Sequence, residues 1–194
     1  GLMDAAVAQH GRIDVLVNNA GLGGDTLLVD MPDEEWDRGL DITLTGTMRC
    51  TRAALRLMVP QGSGVIVNNA SVVGWRAQTG QTHYAAAKAG VANFTKTAAL
   101  ELAEHGIRVN AVAPDLIRTE GLEALAGPRG PSRWNRIVPL GRAGTPEEVG
   151  GAVVFLASDL SSYVTGETIH VDGGTFASSG WFHRPDGGGY AYGP

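Results

Sequence analysis

Tyr84 and Lys88 are the pair of residues with the clearest chemical potential in the sequence. They lie four residues apart in the stretch HYAAAKAG (83–90), and only alanines separate them. Alanine has the highest helix propensity, and residues i and i+4 share a helix face, so the stretch predicts a helix that presents both side chains together. A free tyrosine has a pKa of about 10, and a nearby ammonium lowers it by favouring the phenolate. Such a pair could act as general acid or base on an alcohol or carbonyl oxygen.

A third polar group could hold that oxygen. Ser71 ends the run GVIVNNAS (64–71), and its hydroxyl could donate or accept a hydrogen bond at the reacting atom. A Tyr-x-x-x-Lys spacing also arises by chance, in which case Tyr84 would be a half-buried helix residue and Lys88 a solvated one. The elements around these residues decide between the two interpretations.

Short apolar runs alternate with helical patterns along the chain. The runs start almost continuously apolar, as strands covered on both faces do, and most end in small polar residues. Their alternation with helices predicts an α/β fold with a parallel sheet and right-handed crossovers. Ligands bind outside the carboxyl ends of such strands. The four runs are 13–21, 64–71, 107–114 and 167–174.

Three segments between these runs are typical of helices. Segment 31–58 opens with proline and acidic residues, segment 81–106 is alanine-rich and ends at Gly106, and segment 145–158 begins with the capping box of Thr145 and Glu148. Segment 120–136, which contains several glycines and prolines, is expected to be irregular and to serve as a lid.

Composition limits the class of protein. The 194 residues carry a net charge of −5 without a run of lysines or arginines, which argues against nucleic acid as the main partner. No apolar run reaches the roughly 18 residues that a membrane span needs, and we see no secretion signal. The single cysteine, Cys50, fits a packing role in a reducing compartment. We therefore predict one cytoplasmic domain, with no membrane segment and no metal site.

The order of five motifs resembles the short-chain dehydrogenase/reductase family in its FabG-like (3-oxoacyl-carrier-protein reductase) branch. Ser71 precedes Tyr84 by 13 residues, as the family pattern requires. The resemblance covers residues 1 to about 175. The motifs are VNNAG (17–21), Ser71 with YAAAK (84–88), IRVNAVAP (107–114), Ile117 with Thr119, and SSYVTGETIHVDGG (161–174).

The resemblance implies a Rossmann-like, doubly wound parallel sheet and hydride transfer between NAD or NADP and a carbon that bears oxygen. It implies that Tyr84 is the acid/base, that Lys88 lowers its pKa and holds the nicotinamide ribose, and that Ser71 orients the substrate oxygen. It also implies a homotetramer, paired partly through the helix that carries Tyr84. The further residues implied to contact the cofactor are Asn19, Ala20, Gly21, Pro114, Ile117 and Thr119.

The sequence lacks the family's glycine-rich fingerprint T-G-x-x-x-G-x-G, which follows the family's first strand. Residue 1 already corresponds to the helix before VNNAG, so residues 1–175 match the C-terminal two-thirds of the fold, and residues 176–194 form a tail. The choice between NAD and NADP is therefore not readable. We expect the chain to be a fragment of a longer protein whose first strand is left as an exposed apolar edge. The tail is expected to be disordered or to pack on a neighbouring subunit.

Two further departures fall at the predicted site. The family's fourth catalytic residue, an asparagine that helps to hold a water beside the lysine, is replaced by Thr43 in TLTG. Because threonine offers one hydroxyl in place of an amide, we expect a weakened proton relay. The glycine that usually follows Pro114 is Asp115. Its carboxylate would be neutral in effect or would contact a substrate hydroxyl, and the sequence leaves both possibilities open.

The stretch GWRAQTGQTH (74–83) occupies the position at which family members line the substrate pocket. Trp75, Gln78 and His83 are candidate substrate contacts, and Trp75 with Trp134 would suit an apolar or fused-ring substrate. Either tryptophan could equally be a packing residue. Arg76 could meet a phosphate or carboxylate. The substrate would be a small alcohol or ketone, or an acyl thioester.

Two other functions stay open at this point. The chain could be a catalytically silent subunit or fragment without cofactor binding, which the missing fingerprint and Thr43 favour. The intact Ser71, Tyr84 and Lys88 argue against that alternative. An isomerase or epimerase with a tightly held cofactor would use the same fold.

Overall fold

A four-stranded parallel sheet forms the centre of the molecule. The computed structural model describes residues 1–126 and 130–192. The strands lie in chain order across the sheet, and every neighbouring pair is parallel. All four predicted runs form strands, which confirms the α/β prediction. They are β1 (Val15–Asn18), β2 (Gly64–Asn69), β3 (Ile107–Pro114) and β4 (Thr168–Val171).

Helices precede, connect and follow the strands in the described residues. The predicted helix 81–106 is confirmed as a long helix that ends in a short 3₁₀ turn at Gly106, whose φ of 69° suits glycine. The capping box at Thr145 is also confirmed. The helices are α1 (Leu2–His10), α2 (Asp33–Leu40), α3 (Gly46–Gln61), α4 (Thr82–Leu102), α5 (Glu120–Ala126), α6 (Gly130–Ile137), α7 (Pro146–Ala157) and α8 (Thr175–Ser178).

Both faces of the sheet are covered, as a doubly wound fold requires. Ile66 of β2 is fully buried with Ala54 of α3 and Leu102 of α4. Its neighbour Val67 points to the opposite face and packs with Leu156 of α7. Because successive side chains of a strand alternate between faces, burial of both residues explains why this run is continuously apolar.

The predicted helix 31–58 is interrupted. A π-helical segment, Asp41–Thr45, joins α2 to α3 and contains the buried Thr43. Single π-helical turns inside α-helices often occur at functional sites. The interruption changes the direction in which the side chains of TLTG point and so contributes to the position of Thr43.

β1 is an edge strand in the described chain, because it pairs with β2 alone. The outward side chains of Val15 and Val17 are 40% and 44% exposed. This confirms the expectation of an unpaired apolar edge. Such an edge is a template for further strand pairing.

Segment 120–136 was expected to be irregular, and this prediction is wrong for the described residues. They form α5 and α6, and Trp134 of α6 packs with Val138 and Ala143. Residues 127–129 of this predicted lid lie outside the described residues.

The described part of the tail is ordered, which differs from the expectation of disorder, whereas packing on a neighbouring subunit stays a prediction. It forms an antiparallel hairpin of β5 (Trp181–His183) and β6 (Tyr190–Tyr192). The Tyr190 hydroxyl donates to the carbonyl oxygen of Pro139 at 3.3 Å, and His183 Nε2 lies 3.0 Å from the same oxygen. The hairpin thus packs on its own chain.

No helix among residues 1–126 and 130–192 combines the length and apolar character needed to cross a membrane.

Candidate active site

Two asparagines join the carboxyl ends of β1 and β2. Asn18 and Asn68 are opposite each other in the strand register, and the Asn18 amide donates to Asn68 Oδ1 at 2.8 Å. Asn18 also donates to Thr51 of α3 at 3.0 Å, and Asn68 donates to Thr95 of α4 at 2.9 Å. Buried amides are stable only when such partners are present. The network therefore fixes α3 and α4 against the strand ends.

The next residue of each strand end lies closer to the site. Asn69 donates through its amide to Asn19 Oδ1 at 2.7 Å. The backbone oxygen of Asn69 accepts a hydrogen bond from Lys88 Nζ at 2.5 Å. This bond connects the end of β2 to α4 and sets the direction of the lysine side chain.

Tyr84 and Lys88 lie on the same face of α4, as predicted. Lys88 Nζ is 5.4 Å from the centroid of the Tyr84 ring. Only 3% of Lys88 is exposed, and this burial lowers its pKa to about 8, because desolvation disfavours the ammonium. The lysine is therefore buried beside the tyrosine. The interpretation that the spacing arose by chance expected a solvated lysine instead.

The expectation that Lys88 lowers the pKa of Tyr84 stays a prediction, since the upward shift in this structure has other causes. Burial raises the pKa of the Tyr84 phenol, and a hydrogen bond to Ser71 opposes the rise in part. The Lys88 ammonium lies over the ring face and donates to the backbone oxygen of Asn69. A raised pKa favours the protonated phenol, which is the form that a general acid needs.

Ser71 lies at the end of β2, where its backbone leaves the sheet in an extended conformation. Its hydroxyl accepts from the backbone N–H of Val73 at 3.3 Å and donates to the carbonyl oxygen of Pro114 at 3.4 Å. The side chain also opposes the rise that burial causes in the pKa of the Tyr84 phenol. Ser71, Tyr84 and Lys88, predicted as one catalytic group, are therefore brought together.

Thr43 lies beside this group. Its hydroxyl accepts from the backbone N–H of Leu22 at 3.1 Å, so it supports the loop after β1. A Cβ atom on Gly21 would lie 3.3 Å from Lys88 Nζ and 3.5 Å from Thr43 Oγ1. The backbone of the loop thus approaches both side chains closely, which a larger residue at position 21 would hinder.

The predicted cofactor residues of the first loop suit a nicotinamide ribose. Asn19, Ala20 and Gly21 are exposed at the carboxyl end of β1, next to the Lys88 ammonium. Asn69 Oδ1 is a buried acceptor without a partner in the described residues. The Lys88 ammonium, the Oδ1 acceptor of Asn69 and the exposed backbone of the loop lie near one another, and these groups fit a ligand that carries hydroxyl groups.

The remaining predicted cofactor residues follow β3. The carbonyl oxygen of Pro114, the last residue of β3, accepts the hydrogen bond from the Ser71 hydroxyl. Ile117 pairs in a parallel bridge with Gly144 and lines a cavity of about 390 Å³ with His170. The Thr119 hydroxyl accepts from the backbone N–H of Leu122 at 3.2 Å, at the start of α5. Its capping position means that only its remaining hydrogen-bonding capacity could serve a ligand.

The candidate substrate contacts have different surroundings. Trp75 is 38% exposed, and Gln78 is exposed. His83 is 1% exposed and fits between Gly24 and Gly39, where an added Cβ would clash with its ring. Trp134 is buried in a separate cluster. His83 and Trp134 are therefore both buried, and His83 also borders a cavity of about 460 Å³, so its role as a substrate contact stays a prediction.

Asn69 was not predicted as a site residue. Its side chain contacts Asn19, and its backbone oxygen holds Lys88. The signal was present, because VNNA occurs at both 17–20 and 67–70. Among the described residues, no group of three or more histidine, cysteine, aspartate or glutamate side chains could hold a metal ion.

Comparison with known proteins identifies the family. A family model described as enoyl-(acyl carrier protein) reductase matches residues 1–175. The chain belongs to the short-chain dehydrogenase/reductase family, and relatives named as 3-oxoacyl-[acyl-carrier-protein] reductases support the FabG-like branch.

Two curated relatives illustrate the range within the family. One is a reductase of Mycobacterium tuberculosis that is 55% identical over 172 residues, which are 88% of this chain and 65% of the relative. Its name is (5R,7aS)-5-hydroxy-7a-methyl-1-oxo-2,3,5,6,7,7a-hexahydro-1H-indene-carboxyl-CoA reductase. The 3-oxoacyl-[acyl-carrier-protein] reductase FabG of Thermotoga maritima is 51% identical over 173 residues, which are 89% of this chain and 70% of the relative.

A solved structure also matches closely. The crystal structure of a short chain dehydrogenase from Mycobacterium smegmatis has a TM-score of 0.73 and 52% identity, covering 88% of this chain and 62% of that one. The chain thus spans about two-thirds of the length of such relatives.

Proposed function

We propose that the complete protein is an NAD(P)-dependent oxidoreductase that interconverts a secondary alcohol and a ketone. The observation that supports this best is the group formed by Tyr84, Ser71 and Lys88. Lys88 Nζ, buried on the same helix face, lies 5.4 Å from the centroid of the Tyr84 ring, and Ser71 partly offsets the rise that burial causes in the pKa of the Tyr84 phenol. A protonated phenol and a serine hydroxyl next to one opening suit the protonation of a carbonyl oxygen.

The residues of this chain would divide the chemistry among them. Ser71 orients the substrate oxygen, and Tyr84 gives its proton to that oxygen in reduction or takes it back in oxidation. Lys88, through its bond to the Asn69 carbonyl, keeps a cation beside the tyrosine and is available to ribose hydroxyls. The residues near Lys88 would hold NAD(P), which would contribute hydride-transfer chemistry at the substrate carbon.

The cofactor would be held by residues from two loops. Asn19, Ala20 and Gly21 line the opening beside Lys88, and Pro114, Ile117 and Thr119 border it after β3. The close approach of Gly21 to Lys88 supports this assignment, because it leaves the backbone accessible to a ligand. Thr43 would act by supporting this loop through Leu22. An assay of the complete protein with NADH and with NADPH would distinguish the two cofactors.

The substrate would be a ketone or its alcohol, carried on an acyl thioester. The names of two relatives support this class. One is a reductase named for a carboxyl-CoA thioester of a fused-ring indene compound, and the other is a 3-oxoacyl-[acyl-carrier-protein] reductase. Trp75, with 38% of its surface exposed, offers an apolar wall that favours a flat ring. Gln78 would contribute at the rim. Cytoplasmic location and a homotetramer are parts of the same proposal.

The test is an assay of the complete protein for oxidation of NADH and NADPH with a panel of 3-oxoacyl thioesters and cyclic ketones. Turnover should fall by about a hundredfold or more in Tyr84→Phe. The matched control is Tyr163→Phe, which removes a hydroxyl from a fully exposed tyrosine and should leave turnover unchanged.

A well-folded complete protein that binds neither cofactor would contradict the enzyme proposal and favour a catalytically silent subunit. Equal turnover in the parent and Tyr84→Phe would remove Tyr84 from the mechanism. Cofactor that stays bound and returns to its starting redox state in each cycle would favour an isomerase or epimerase instead.

A further inference from the structure

Asp115 follows Pro114 at the carboxyl end of β3, and its side chain is only 7% exposed. A buried carboxylate is costly unless charged or hydrogen-bonding partners surround it. The partners of this carboxylate come from two other parts of the chain, and they all lie where strands of the sheet end.

Arg76 and Thr175 are those partners. Arg76 Nη2 lies 2.7 Å from Asp115 Oδ2, and the Thr175 hydroxyl donates to the same oxygen at 2.5 Å. Arg76 Nη1 also donates to the backbone oxygen of Thr175 at 3.3 Å. One carboxylate therefore links the loop after β2, the end of β3 and the segment after β4.

Aromatic contacts connect the same two segments independently. The ring of Trp75, next to Arg76, lies 5.0 Å from that of His170. His170 in turn stacks on Phe176 at 4.4 Å with an interplanar angle of 8°. His170 also lines the cavity that contains Ile117. The loop after Ser71 thus contacts His170 in the wall of this cavity, in addition to its hydrogen bonds with Asp115 and Thr175.

We propose that Asp115 is a positioning residue: through Arg76 and Thr175 it fixes the loop that follows Ser71 against the segment after β4, and so sets the substrate side of the site. This proposal rests on the proposed function, since it concerns the carbonyl substrate of that reaction. Asp115 and Arg76 act on the substrate through the loop. A displacement of a reacting group by about 1 Å can cost on the order of a hundredfold in rate.

The pairing answers two questions that the sequence left open. The Asp115 carboxylate is used by Arg76 and Thr175, so it serves the wall of the site rather than a substrate hydroxyl. The two Arg76 nitrogens that make these bonds face Asp115 and Thr175, so a substrate phosphate would compete with an ion pair that is already formed.

The test compares Asp115→Asn, Arg76→Met and the double variant in the complete protein. Each single variant should lower kcat/KM for the carbonyl substrate by about tenfold, while the Kd of the cofactor changes by less than about twofold. The double variant should lose no more than the single ones, because both changes break one interaction. Arg12→Met is the matched control, since Arg12 forms an exposed ion pair with Asp14.

Hydrogen exchange of residues 72–78 gives a readout that does not depend on turnover. The amides of Gly74, Trp75 and Arg76 donate to backbone oxygens of Ser71 and Val72, and their exchange should quicken at least about threefold when the pair is broken. Arg76→Met alone decides the matter if Asp115→Asn does not fold.

Additive losses in the double variant, unchanged kcat/KM, or unchanged exchange at 72–78 would each overturn the proposal. A parent protein without turnover would instead contradict the proposed function, and the exchange result would then decide the positioning role by itself.

Discussion

The tetrapeptide VNNA occurs twice, at 17–20 across the end of β1 and at 67–70 across the end of β2. The two copies have different surroundings. They pair in register, with Val17 opposite Val67. Val17 is 44% exposed on the edge strand, whereas Val67 is fully buried in the interior of the sheet. The same residues thus pack differently because of the strands beside them, not because of their own propensities.

The asparagines of the two copies differ in the same way. Asn68 bridges Asn18 and Thr95, which lie on opposite sides of it, and is fully buried. Asn69 holds Lys88 through its backbone oxygen. The copy in β2 therefore contacts the proposed acid/base group directly, while the copy in β1 contributes Asn19 and Ala20, which are proposed to hold the cofactor.

The largest effect is expected when the contact between the β2 copy and α4 is removed. Lys88→Met should lower turnover by about a hundredfold or more, because it removes the cation that Asn69 holds beside Tyr84. Lys96→Met is the matched control, since Lys96 is exposed on the same helix. Turnover in Lys88→Met within a few-fold of the parent would contradict a catalytic role for the lysine.

The second prediction compares the two buried asparagines. Asn68→Ala should lower the free energy of unfolding by about 2–4 kcal/mol, since it leaves both Asn18 and Thr95 without this partner. Asn18→Ala should cost about 1–2 kcal/mol, because its strand is at the edge. Denaturant unfolding measures both values. A larger loss in Asn18→Ala would mean that the edge copy carries the network.

The third prediction concerns pH. Burial lowers the pKa of Lys88 to about 8, so between pH 8 and 10 the unfolded lysine is protonated while the folded one is neutral. The unfolded state then binds more protons, and the free energy of unfolding should rise with pH by about 2 kcal/mol across this window. Below pH 8 the full cost of burying the charge is present. Unfolding curves of Lys88→Met should lack this rise, and an equal rise in that variant would assign it to another group.

The smallest effect is expected at the edge. Val17→Thr should change the free energy of unfolding of the 194-residue chain by about 0.5 kcal/mol or less. Val67→Thr should cost about 1–3 kcal/mol, because it buries a hydroxyl. Similar costs at the two positions would show that β1 is covered in solution, for example by strand pairing with another chain.

The sequence was sufficient to predict features that depend on local spacing. The four strands, the capping box at Thr145 and the common helix face of Tyr84 and Lys88 all follow from periodicity and propensity. The motif order was sufficient for the family.

Features that depend on distant packing could not be predicted. The raised pKa of Tyr84 comes from burial by the assembled fold, which spacing on one helix does not reveal. His83 is buried because Gly24 and Gly39, from two other segments, leave room for its ring. The parts of segment 120–136 that the structure describes, 120–126 and 130–136, form helices, and apolar side chains such as Trp134 pack into a cluster there.

The most direct test of the central claim follows the hydride itself. The complete protein is incubated with its ketone substrate and cofactor deuterated at the nicotinamide C4 position, and the product is analysed by mass spectrometry. We expect one deuterium at the carbinol carbon of the product alcohol, with its formation slowed by about a hundredfold or more in Tyr84→Phe. An alcohol without deuterium, formed with cofactor labelled on either face, would contradict hydride transfer at this site.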